Sequence, residues 1–387
     1  MGDVYRVGIV GCGIGQAHAA AWRALTGKFE LRVICDVDRA RAEKLAKGEA
    51  SYQLYPVSGT AALSADSATA SVPQREPDVA TDLAELCRRD DVDIIDICTP
   101  PNMHFEQCLA TLAAGKHVIC EKPLVGSLKE ADALAEAEKE SGKRLMPIFQ
   151  YRFGHGIQRL KHLIAEGLAG KAYLSTVETH WRRGEDYYAV PWRGKWKTEL
   201  GGCLLGHAIH AHDGFCYVAG PARTVFARTA TRVNKIEVED CAAVTLEMAD
   251  GSLAALSVTL GSRDEISRQR FCFAGFVAES NTDPYKNSYD PWKFAGDTPE
   301  LQQRIDEALK RFVPQPQGYE GQFSRYYTAL KAGGELPVTI ADARRALELI
   351  TALYHSAATG KAVTLPITRR HPKYGSWLPR ATMNDER

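Results

Sequence analysis

The sequence predicts an α/β protein with a doubly wound parallel sheet in its first domain and a large, mostly antiparallel, open sheet in its second, α+β domain. Through about residue 150, short β-branched runs alternate with helix-compatible stretches, an order typical of a parallel sheet packed between helices. After about residue 170, strand-like segments follow one another and often alternate apolar with polar residues, as half-buried antiparallel strands do. We place the domains at 1–125 and 126–387.

Composition narrows the classes of protein that fit this sequence. A chain of 387 residues should form two domains, or one domain with a large addition, and can bury a sizeable core. Its 48 basic and 48 acidic residues leave no net charge. No basic run marks a nucleic-acid surface, and no apolar run is long enough to span a bilayer. The ten cysteines include no C-x-x-C pair, which argues against a disulfide or zinc framework. We expect a cytoplasmic protein without a signal peptide, with a small-molecule ligand and without nucleic acid, membrane or metal partners.

The first element is a short strand that runs into a glycine turn. A β-branched run at 7–10 is followed by Gly11, Gly13 and Gly15 and then by a helix-compatible stretch. Glycines at such a turn let backbone N–H groups approach a pyrophosphate, and the helix N-terminus adds a partial positive charge. The usual third glycine position holds Gln16, one place after Gly15. The pattern indicates a dinucleotide site, with an ordinary tight turn as the alternative.

The second strand, 29–35, ends at Asp36. An acidic residue about 20 residues past the glycine turn accepts hydrogen bonds from the adenosine ribose hydroxyls and repels a 2′-phosphate. Asp36 therefore favours NAD over NADP. Arg39 and Arg41 follow closely and could soften that preference, but we favour the interpretation that they lie on a solvated helix face.

The rest of the first half continues the alternation after an aperiodic stretch. Residues 48–78 are rich in Ala, Ser and Thr, and we interpret them as a surface insertion that covers the cofactor or contacts a second subunit. The remaining strands and helices of this half are expected at 92–98, 102–114, 117–120, 127–141 and 144–149.

The second half shows a different rhythm. A turn at 249–252 indicates a hairpin, so one face of the sheet should be apolar and the other open. A helix is expected near 300–312, a strong amphipathic helix at 341–359 ends before Gly360, and 366–387 resembles an extended arm. The strands of this half are expected at 173–181, 224–233, 241–247, 252–260 and 268–274.

Several motifs in order resemble the Gfo/Idh/MocA family of NAD(P)-dependent oxidoreductases. They are GIVGCGIGQAH at 8–18, IDICTPPNMH at 95–104, CEKPL at 120–124, QYRF at 150–153, GGCLLGHAIHAHD at 201–213 and ATGKAVTL at 358–365. The resemblance implies a Rossmann domain followed by an open-sheet domain, activity on sugars or cyclitols, and a homodimer or homotetramer that packs through the open sheet.

The resemblance also implies two catalytic residues. Lys122, in the E-K-P motif at the carboxyl end of a strand, would contact substrate and nicotinamide, and His210 would act as the acid/base. Asp213 either orients the His210 imidazole or anchors its helix. Many relatives have an aspartate four residues before this histidine, whereas this chain has Gly206. Either His207 takes the place of that carboxylate, or it binds a substrate hydroxyl.

Positions 207, 210 and 213 are three residues apart and would share one face of a helix over 206–215. The H-x-x-H spacing of His207 and His210 would also suit a metal, but no carboxylate or thiol cluster completes a site, so we expect none.

The segment before the histidines, 181–196, is dense in Arg, Tyr and Trp. Aromatic faces and guanidinium groups suit a polyol ring, and Trp192 and Arg193 are the leading candidates; an aromatic sheet edge is the alternative. Arg182 and Arg183 leave open an anionic substituent on the sugar.

The expected site therefore draws on both halves of the chain. The expected catalytic residues are Lys122, His210 and His207. Residues expected to contact the cofactor are Gly11, Gly13, Ile14, Gly15, Asp36, Val37, Thr99, Pro100, His104, Glu121, Lys122, Gln150, Trp192 and Arg193. Residues expected to contact substrate are Lys122, Arg152, Tyr188, Trp192, Arg193, His207 and His210.

The sequence favours an NAD-dependent dehydrogenase of a sugar, glycoside or cyclitol, in which Lys122 and His210 converge on one carbinol. The first alternative is an NAD-dependent glycosidase that oxidises a ring hydroxyl, eliminates the aglycone and reduces the product. Tyr187, Tyr188 or His207 would then supply the second base. The third hypothesis is a non-catalytic NAD-binding protein. The presence of both Lys122 and His210 makes this hypothesis less favoured.

Overall fold

The computed structural model describes residues 4–49 and 75–379. Its strands are β1 Tyr5–Val10, β2 Phe29–Cys35, β3 Asp78–Ala80, β4 Ile94–Ile97, β5 His117–Cys120, β6 Leu145–Pro147, β7 Ala172–Arg182, β8 Ala222–Ala230, β9 Cys241–Met248, β10 Leu253–Thr259, β11 Gly261–Phe273, β12 Phe276–Glu279, β13 Lys293–Gly296 and β14 Val363–Thr364. Its α-helices are α1 Gly15–Ala24, α2 Arg39–Ala46, α3 Leu83–Arg88, α4 His104–Ala113, α5 Leu128–Ser141, α6 His155–Ala165, α7 Glu185–Tyr188, α8 Trp196–Glu199, α9 Ile209–Ala219, α10 Pro299–Arg311, α11 Gly318–Ala332 and α12 Ile340–Thr359.

The chain divides into two compact units. The first comprises Met1–Gly126, Glu130–Ile148 and Tyr319–Ala343, and the second comprises Ser127–Lys129, Phe149–Gly318 and Arg344–Arg387. The expected boundary at 125 is therefore too simple. Strand β6 completes the first sheet beyond that point, and α11 returns to the first unit, where Phe323 stacks on Trp22 with ring centroids 3.8 Å apart.

The sheet of the first unit is parallel and has the order β3-β2-β1-β4-β5-β6. Its central strands are buried on both faces: Val7–Val10 of β1 and all four residues of β4 are buried. The strand order reverses between β1 and β4, and in such sheets the crevice at the carboxyl ends of these two strands is the ligand site. The predicted doubly wound sheet is confirmed.

The sheet of the second unit has the order β13-β12-β11-β7-β10-β9-β8-β14. Neighbouring strands are antiparallel except β7 and β10, which are parallel. Burial alternates along β8, β9 and β10, so one face carries the core and the other is open, as predicted. The predicted hairpin joins β9 to β10, where Gly251 has a φ of +85°. Strands β12 and β13 were not predicted, because they lie in a polar, proline-bearing part of the chain that lacks a β-branched run like that of the equally short β5.

Two predicted segments are only partly described. Residues 50–74 of the predicted insertion at 48–78 lie outside the described residues, and its last residue, Asp78, begins β3 at the edge of the first sheet. Residues 380–387 of the predicted arm also lie outside them. The described part of that arm is anchored in the second unit, because the buried Trp377 donates its Nε1 hydrogen to the carbonyl of Leu200 at 2.7 Å. No helix in the described ranges has the length and apolar character needed to cross a bilayer.

Candidate active site

The three glycines after β1 have three different environments. Gly11 has a φ of +97°, and a Cβ there would lie 2.6 Å from the carbonyl oxygen of Cys98. A Cβ on Gly15, the first residue of α1, would lie 3.0 Å from Cγ2 of Ile9. A Cβ on Gly13 would meet no described atom within 4 Å. These environments match the tight turn, the close helix–strand packing and the open backbone face of dinucleotide-binding turns. The turn therefore fits NAD.

The irregular glycine spacing has a structural explanation. Because α1 already begins at Gly15, the packing position usually held by the third glycine falls one residue earlier than in the common pattern. Gln16 is half-buried, and its N–H bonds to the carbonyl of Gly13 at 3.3 Å. No acidic side chain lies in the first turn of α1, so the helix N-terminus keeps its partial positive charge.

Replacing Gly13 with alanine is expected to weaken NAD binding about tenfold or more, because the methyl group would project into the space that the pyrophosphate approaches. The unfolding midpoint of the cofactor-free protein should stay the same. Titration calorimetry measures the first effect and thermal unfolding the second.

Gly334→Ala is the matched control, since a Cβ there also meets no described atom within 4 Å, and it should change neither quantity. Gly11→Ala should instead lower the unfolding midpoint, because of the positive φ at this residue. Unchanged NAD affinity in Gly13→Ala would contradict the role of the open face.

Asp36 follows β2 and is held in a fixed orientation by the main chain. Its Oδ2 accepts the N–H of Cys12 at 2.7 Å, and its Oδ1 accepts the N–H of Asp38 at 2.9 Å. A carboxylate offers about four lone-pair positions, so these bonds leave room for hydroxyl donors. Val37 beside it is 90% exposed. The structure thus places Asp36 beside the glycine turn, where the sequence predicted a ribose contact.

The loops after β4 and β5 are joined through a buried histidine. His104 Nδ1 lies 2.8 Å from the carbonyl oxygen of Pro123, and its Nε2 lies 2.9 Å from that of Thr99. Burial lowers the pKa of His104 below its usual value. His104, predicted as a cofactor contact, therefore ties together two loops at the carboxyl edge of the first sheet; Pro100 is half-buried in one of them.

Lys122 lies at the same edge of the sheet, two residues after the end of β5, and is half-buried. The carboxylate of Glu121 accepts the backbone N–H of Lys122 at 2.9 Å. The other oxygen of Glu121 lies 3.0 Å from His18 Nε2 and accepts the hydroxyl of Tyr319 at 3.0 Å. Glu121, predicted as a cofactor contact, is thus engaged within the first unit and fixes the turn that carries Lys122.

In the second unit, His207 and His210 lie on different kinds of turn. A π-helical turn spans Cys203–His207, and α9 begins two residues later at Ile209. The prediction of one helix over 206–215 is therefore wrong at its start, and the three-residue spacing does not place His207 on the same helix face as His210.

The π-helical turn exists because a distant carboxylate binds its backbone. Glu239 is buried and accepts the N–H groups of Gly202 and Leu204 at 3.1 and 3.0 Å and the hydroxyl of Tyr354 at 2.9 Å. Burial raises the pKa of Glu239 to about 7. No local sequence signal reveals this contact, because Glu239 lies far along the chain.

The two imidazoles have different aromatic neighbours. His210 is 6% exposed and stacks on Tyr151, with ring centroids 4.7 Å apart and ring planes 16° from parallel. Phe149 meets it edge-on at 6.2 Å. His207 is 4% exposed and lies 5.8 Å from the Trp181 ring and 5.4 Å from the Tyr187 ring. His210 is thus held by Phe149 and Tyr151, and His207 is held by aromatic residues of the segment 181–196.

Arg152 and Asp213 form a buried two-point ion pair. Nε and Nη2 of Arg152 donate to the two oxygens of Asp213, each at 2.7 Å, and both side chains are almost fully buried. The guanidinium also lies 5.0 Å from the Tyr217 ring. Of the two interpretations of Asp213, the structure supports the helix anchor. Arg152, predicted as a substrate contact, has this structural partner; Gln150, in the same short 3₁₀ turn, is half-buried.

The aromatic and cationic side chains of 181–196 form a cluster. The Arg193 guanidinium lies 3.9 Å from the Tyr187 ring and 4.4 Å from the Trp192 ring, and it donates to the Tyr187 hydroxyl. Burial raises the pKa of Tyr188. Arg183, which the sequence left open as an anion contact, pairs with Glu265 at 2.9 Å. The cluster offers ring faces and a cation beside His207.

One carboxylate in this cluster escaped the sequence analysis. Glu199 is 3% exposed, and its Oε2 accepts the N–H of Gly194 at 2.5 Å. Its Oε1 lies 3.6 Å from Nη1 of Arg193, and a Cβ built on Gly206 would lie 3.5 Å from the same oxygen. The carboxylate of Glu199 therefore lies next to the position that the resemblance assigns to an aspartate. Only the folded turn brings residues 199 and 206 together, so no local motif marks Glu199.

A histidine, an aspartate and a cysteine lie close together in the first unit. Within 4–49 and 75–379, the ligand atoms of His18, Asp96 and Cys98 lie within 4.8 Å of one another, and all three residues are buried. The His207 and His210 pair is not part of such a group. Trp22 donates its Nε1 hydrogen to Asp96 at 2.8 Å.

Family models match two parts of this chain. Residues 5–149 match a model described as an oxidoreductase family with an NAD-binding Rossmann fold. Residues 157–275 match a model described as the GFO/IDH/MocA C-terminal domain. The two matches cover most of both units.

Two relatives and one solved structure that are similar over most of the chain are dehydrogenases by name. The D-glucoside 3-dehydrogenase of Escherichia coli K12 is 27% identical, over 93% of this chain and 97% of that protein. The scyllo-inositol 2-dehydrogenase (NADP(+)) IolW of Bacillus subtilis is 23% identical, over 75% and 84%. The WlbA dehydrogenase of Bordetella pertussis, solved with NADH and UDP-GlcNAcA, is 25% identical with a TM-score of 0.78, over 95% and 100%. The glycosidase alternative gains no support from these relatives.

Proposed function

Because this chain belongs to the GFO/IDH/MocA family of NAD-binding oxidoreductases, we propose that it is a dehydrogenase that transfers a hydride between nicotinamide and a hydroxyl-bearing carbon of a sugar, glycoside or cyclitol. The observation that carries the proposal is the His210 imidazole, which is 6% exposed and stacked on Tyr151 at the start of α9. Such packing fixes the orientation of a group that must exchange a proton. NAD, when bound, supplies the hydride acceptor.

Two side chains are proposed to act on the substrate hydroxyl: one accepts its proton, and the other stabilises the negative charge on its oxygen. In the direction of oxidation, His210 takes the proton of the substrate hydroxyl as its carbon loses a hydride. The ammonium group of Lys122 stabilises the negative charge that develops on that oxygen. Support for Lys122 comes from its place at the carboxyl edge of the parallel sheet and from the Glu121 bond that fixes its backbone.

A carbohydrate or cyclitol suits the aromatic cluster. The ring faces of Trp192 and Tyr187 favour the C–H face of a sugar, and the Arg193 guanidinium donates to hydroxyl groups. The names of the glucoside and inositol relatives point to the same substrate class. Tyr188 and His207 lie in the same part of the second unit and are proposed as further substrate contacts.

NAD is proposed as the preferred cofactor over NADP. Backbone N–H groups hold the Asp36 carboxylate beside the glycine turn. There the carboxylate would accept hydrogen bonds from the ribose hydroxyls and repel a 2′-phosphate. Rates with NAD and NADP compared at equal concentration test this preference, and faster turnover with NADP would contradict it.

Glu199 is proposed to supply the carboxylate that Gly206 lacks. Replacing Glu199 with glutamine is expected to lower kcat about tenfold, because the neutral amide loses its attraction for Arg193 beside His207. The affinity for NAD should stay the same. Steady-state kinetics and NAD titration together measure this split.

Gly206→Asp in the Glu199→Gln background places a carboxylate beside the same oxygen position and should restore part of the rate. Glu185→Gln is the control, since Glu185 is exposed in the neighbouring helix α7, and it should behave as the unmodified protein. A Glu199→Gln variant with full kcat would remove Glu199 from the proposal.

A substrate panel tests the function as a whole. Formation of NADH, followed by its near-ultraviolet absorbance, is expected with NAD and at least one sugar, glycoside or cyclitol. Release of a chromogenic leaving group from glycosides is measured in parallel. Leaving-group release without NADH would overturn the dehydrogenase proposal, and so would NAD binding without turnover of any member of the panel.

The open face of the second sheet is proposed to bind a second copy of this chain. A depression of about 420 Å³ lies there, lined in part by Glu178, Phe226, Arg228 and Thr245. Side chains of both charges beside small polar ones allow a surface to be complementary to itself in a symmetric dimer. Light scattering measures the mass in solution, and a monomer would contradict this proposal.

A further inference from the structure

A buried network of charged groups lies next to α1, the helix that follows the glycine turn. His18 lies on α1 and is fully buried. Its Nδ1 is 2.9 Å from a carboxylate oxygen of Asp96, and its Nε2 is 3.0 Å from one of Glu121. Both carboxylates are almost completely buried, with 0% and 5% of the side chains exposed. One imidazole therefore bridges a carboxyl group on β4 and a carboxyl group in the turn directly after β5.

At neutral pH, two ordinary carboxylates and an ordinary imidazole together hold one proton, on the imidazole. The bridge requires a second proton. A neutral imidazole has a single N–H, so its other nitrogen would face a carboxylate lone pair with a lone pair of its own. Two uncompensated anions in a buried space would also be costly. With a second proton, both contacts become charge-assisted hydrogen bonds, and the network holds one net negative charge instead of two.

The other groups around the bridge are donors or neutral. The Cys98 thiol lies 3.5 Å from His18 Nδ1, and burial raises its pKa, so it stays protonated. Burial opposes a charge on His18, but the attraction and hydrogen bonding of the Asp96 carboxylate, together with the Cys98 sulfur, outweigh burial and hold the pKa of His18 well above its usual value. Further donors to Asp96 are the Nε1–H of Trp22 and the Cys98 thiol, and further donors to Glu121 are the hydroxyl of Tyr319 and the backbone N–H of Lys122.

The Glu121 end of the bridge reaches the turn that carries Lys122. One oxygen of Glu121 contacts His18, and the other accepts the Lys122 N–H at 2.9 Å. A carboxylate held at one oxygen cannot rotate freely to release the other bond. The orientation of the Lys122 backbone therefore depends on His18.

We propose that His18 is a positioning residue that stays doubly protonated between Asp96 and Glu121 and thereby fixes the backbone of Lys122. Its protonation state is a property of the first unit alone. Its effect on turnover rests on the proposed function of Lys122. The ligand atoms of His18, Asp96 and Cys98 also lie close enough together for a cation. The 2.9 Å contact between His18 Nδ1 and Asp96 is a hydrogen-bond distance, and added zinc distinguishes the two in the test below.

Nitrogen NMR of the full-length protein, labelled with ¹⁵N in its histidine rings, tests the protonation state without any substrate. At about pH 8, where an ordinary histidine is neutral, the His18 ring should show two protonated nitrogens. That signal should be absent from His18→Gln and unchanged by added zinc. A neutral ring at His18, or a zinc-dependent shift of its signals, would overturn the proposal even if the enzyme is active.

Kinetics tests the positioning role. His18→Gln and Glu121→Gln are each expected to lower kcat about tenfold, and the double variant should be no slower than the slower single variant, because both changes break one linkage. His117→Gln is the control, since His117 begins β5 at the end remote from Lys122, and its kcat should be unchanged. Multiplying losses in the double variant would overturn the positioning role. No turnover by the unmodified protein would instead count against the proposed function.

Discussion

Replacing His210 with asparagine is expected to lower kcat by about a hundred- to ten-thousand-fold, the range that general acid–base catalysis contributes. The amide of asparagine cannot take up the hydroxyl proton, although it roughly preserves the polarity of the position. Since the glycine turn and Asp36 are untouched, the affinity for NAD should be retained. Steady-state turnover of the best substrate from the panel and NAD titration measure the two quantities.

His212→Asn is the matched control for that experiment. His212 lies on the same helix, is 2% exposed, and burial lowers its pKa to about 4, so it is neutral at the pH of the assay. The control should retain kcat within about twofold, because general acid–base catalysis needs a group that reaches the substrate proton. A His210→Asn variant within a few fold of the unmodified enzyme would remove His210 from the proton transfer.

Replacing Arg152 with methionine is expected to lower the free energy of unfolding by about 3–5 kcal/mol, the usual cost of removing one partner of a buried ion pair. The carboxylate of Asp213, which is 4% exposed in the structure, would lose the two hydrogen bonds that Arg152 now donates. Because Asp213 lies on α9, the second unit should be the part that loses stability. Urea unfolding followed by tryptophan fluorescence measures the change.

The double variant Arg152→Met/Asp213→Leu should recover much of that loss, since no buried charge remains. Arg311→Met provides a surface comparison. Arg311 pairs with Glu166 at 2.7 Å, but both side chains are largely exposed, and the change should cost no more than about 1 kcal/mol. Equal losses in the surface and buried variants, or additive losses in the double variant, would contradict a buried pair that acts as an anchor.

The sequence predicted the elements whose signal is local. Strand β5 at His117–Cys120 and helix α10 at Pro299–Arg311 agree with the expected ranges to within a residue, because β-branched runs and helical periodicity are properties of the segment itself. The predicted start of the histidine helix was wrong because Glu239 reshapes it from a distance.

Some residues of the candidate site could be identified from local sequence motifs, and others only from the folded structure. Motif positions such as Asp36, Lys122 and His210 were identified from their neighbours in the sequence. Glu199 and His18 were not, because their importance arises from contacts with Arg193 and with two carboxylates that only the folded chain supplies. Buried polar groups of this kind carry no periodic pattern, so their partners had to be seen in the structure.

The route of the chain limits how the nucleotide-binding half can be dissected. A fragment that stops at Ile148 would contain all six strands of its sheet, yet it would lack Tyr319 and Phe323, which contact Glu121 and Trp22. Gene recombination that exchanges this half between homologous enzymes therefore needs extra crossovers, so that Tyr319–Ala343 travels with it.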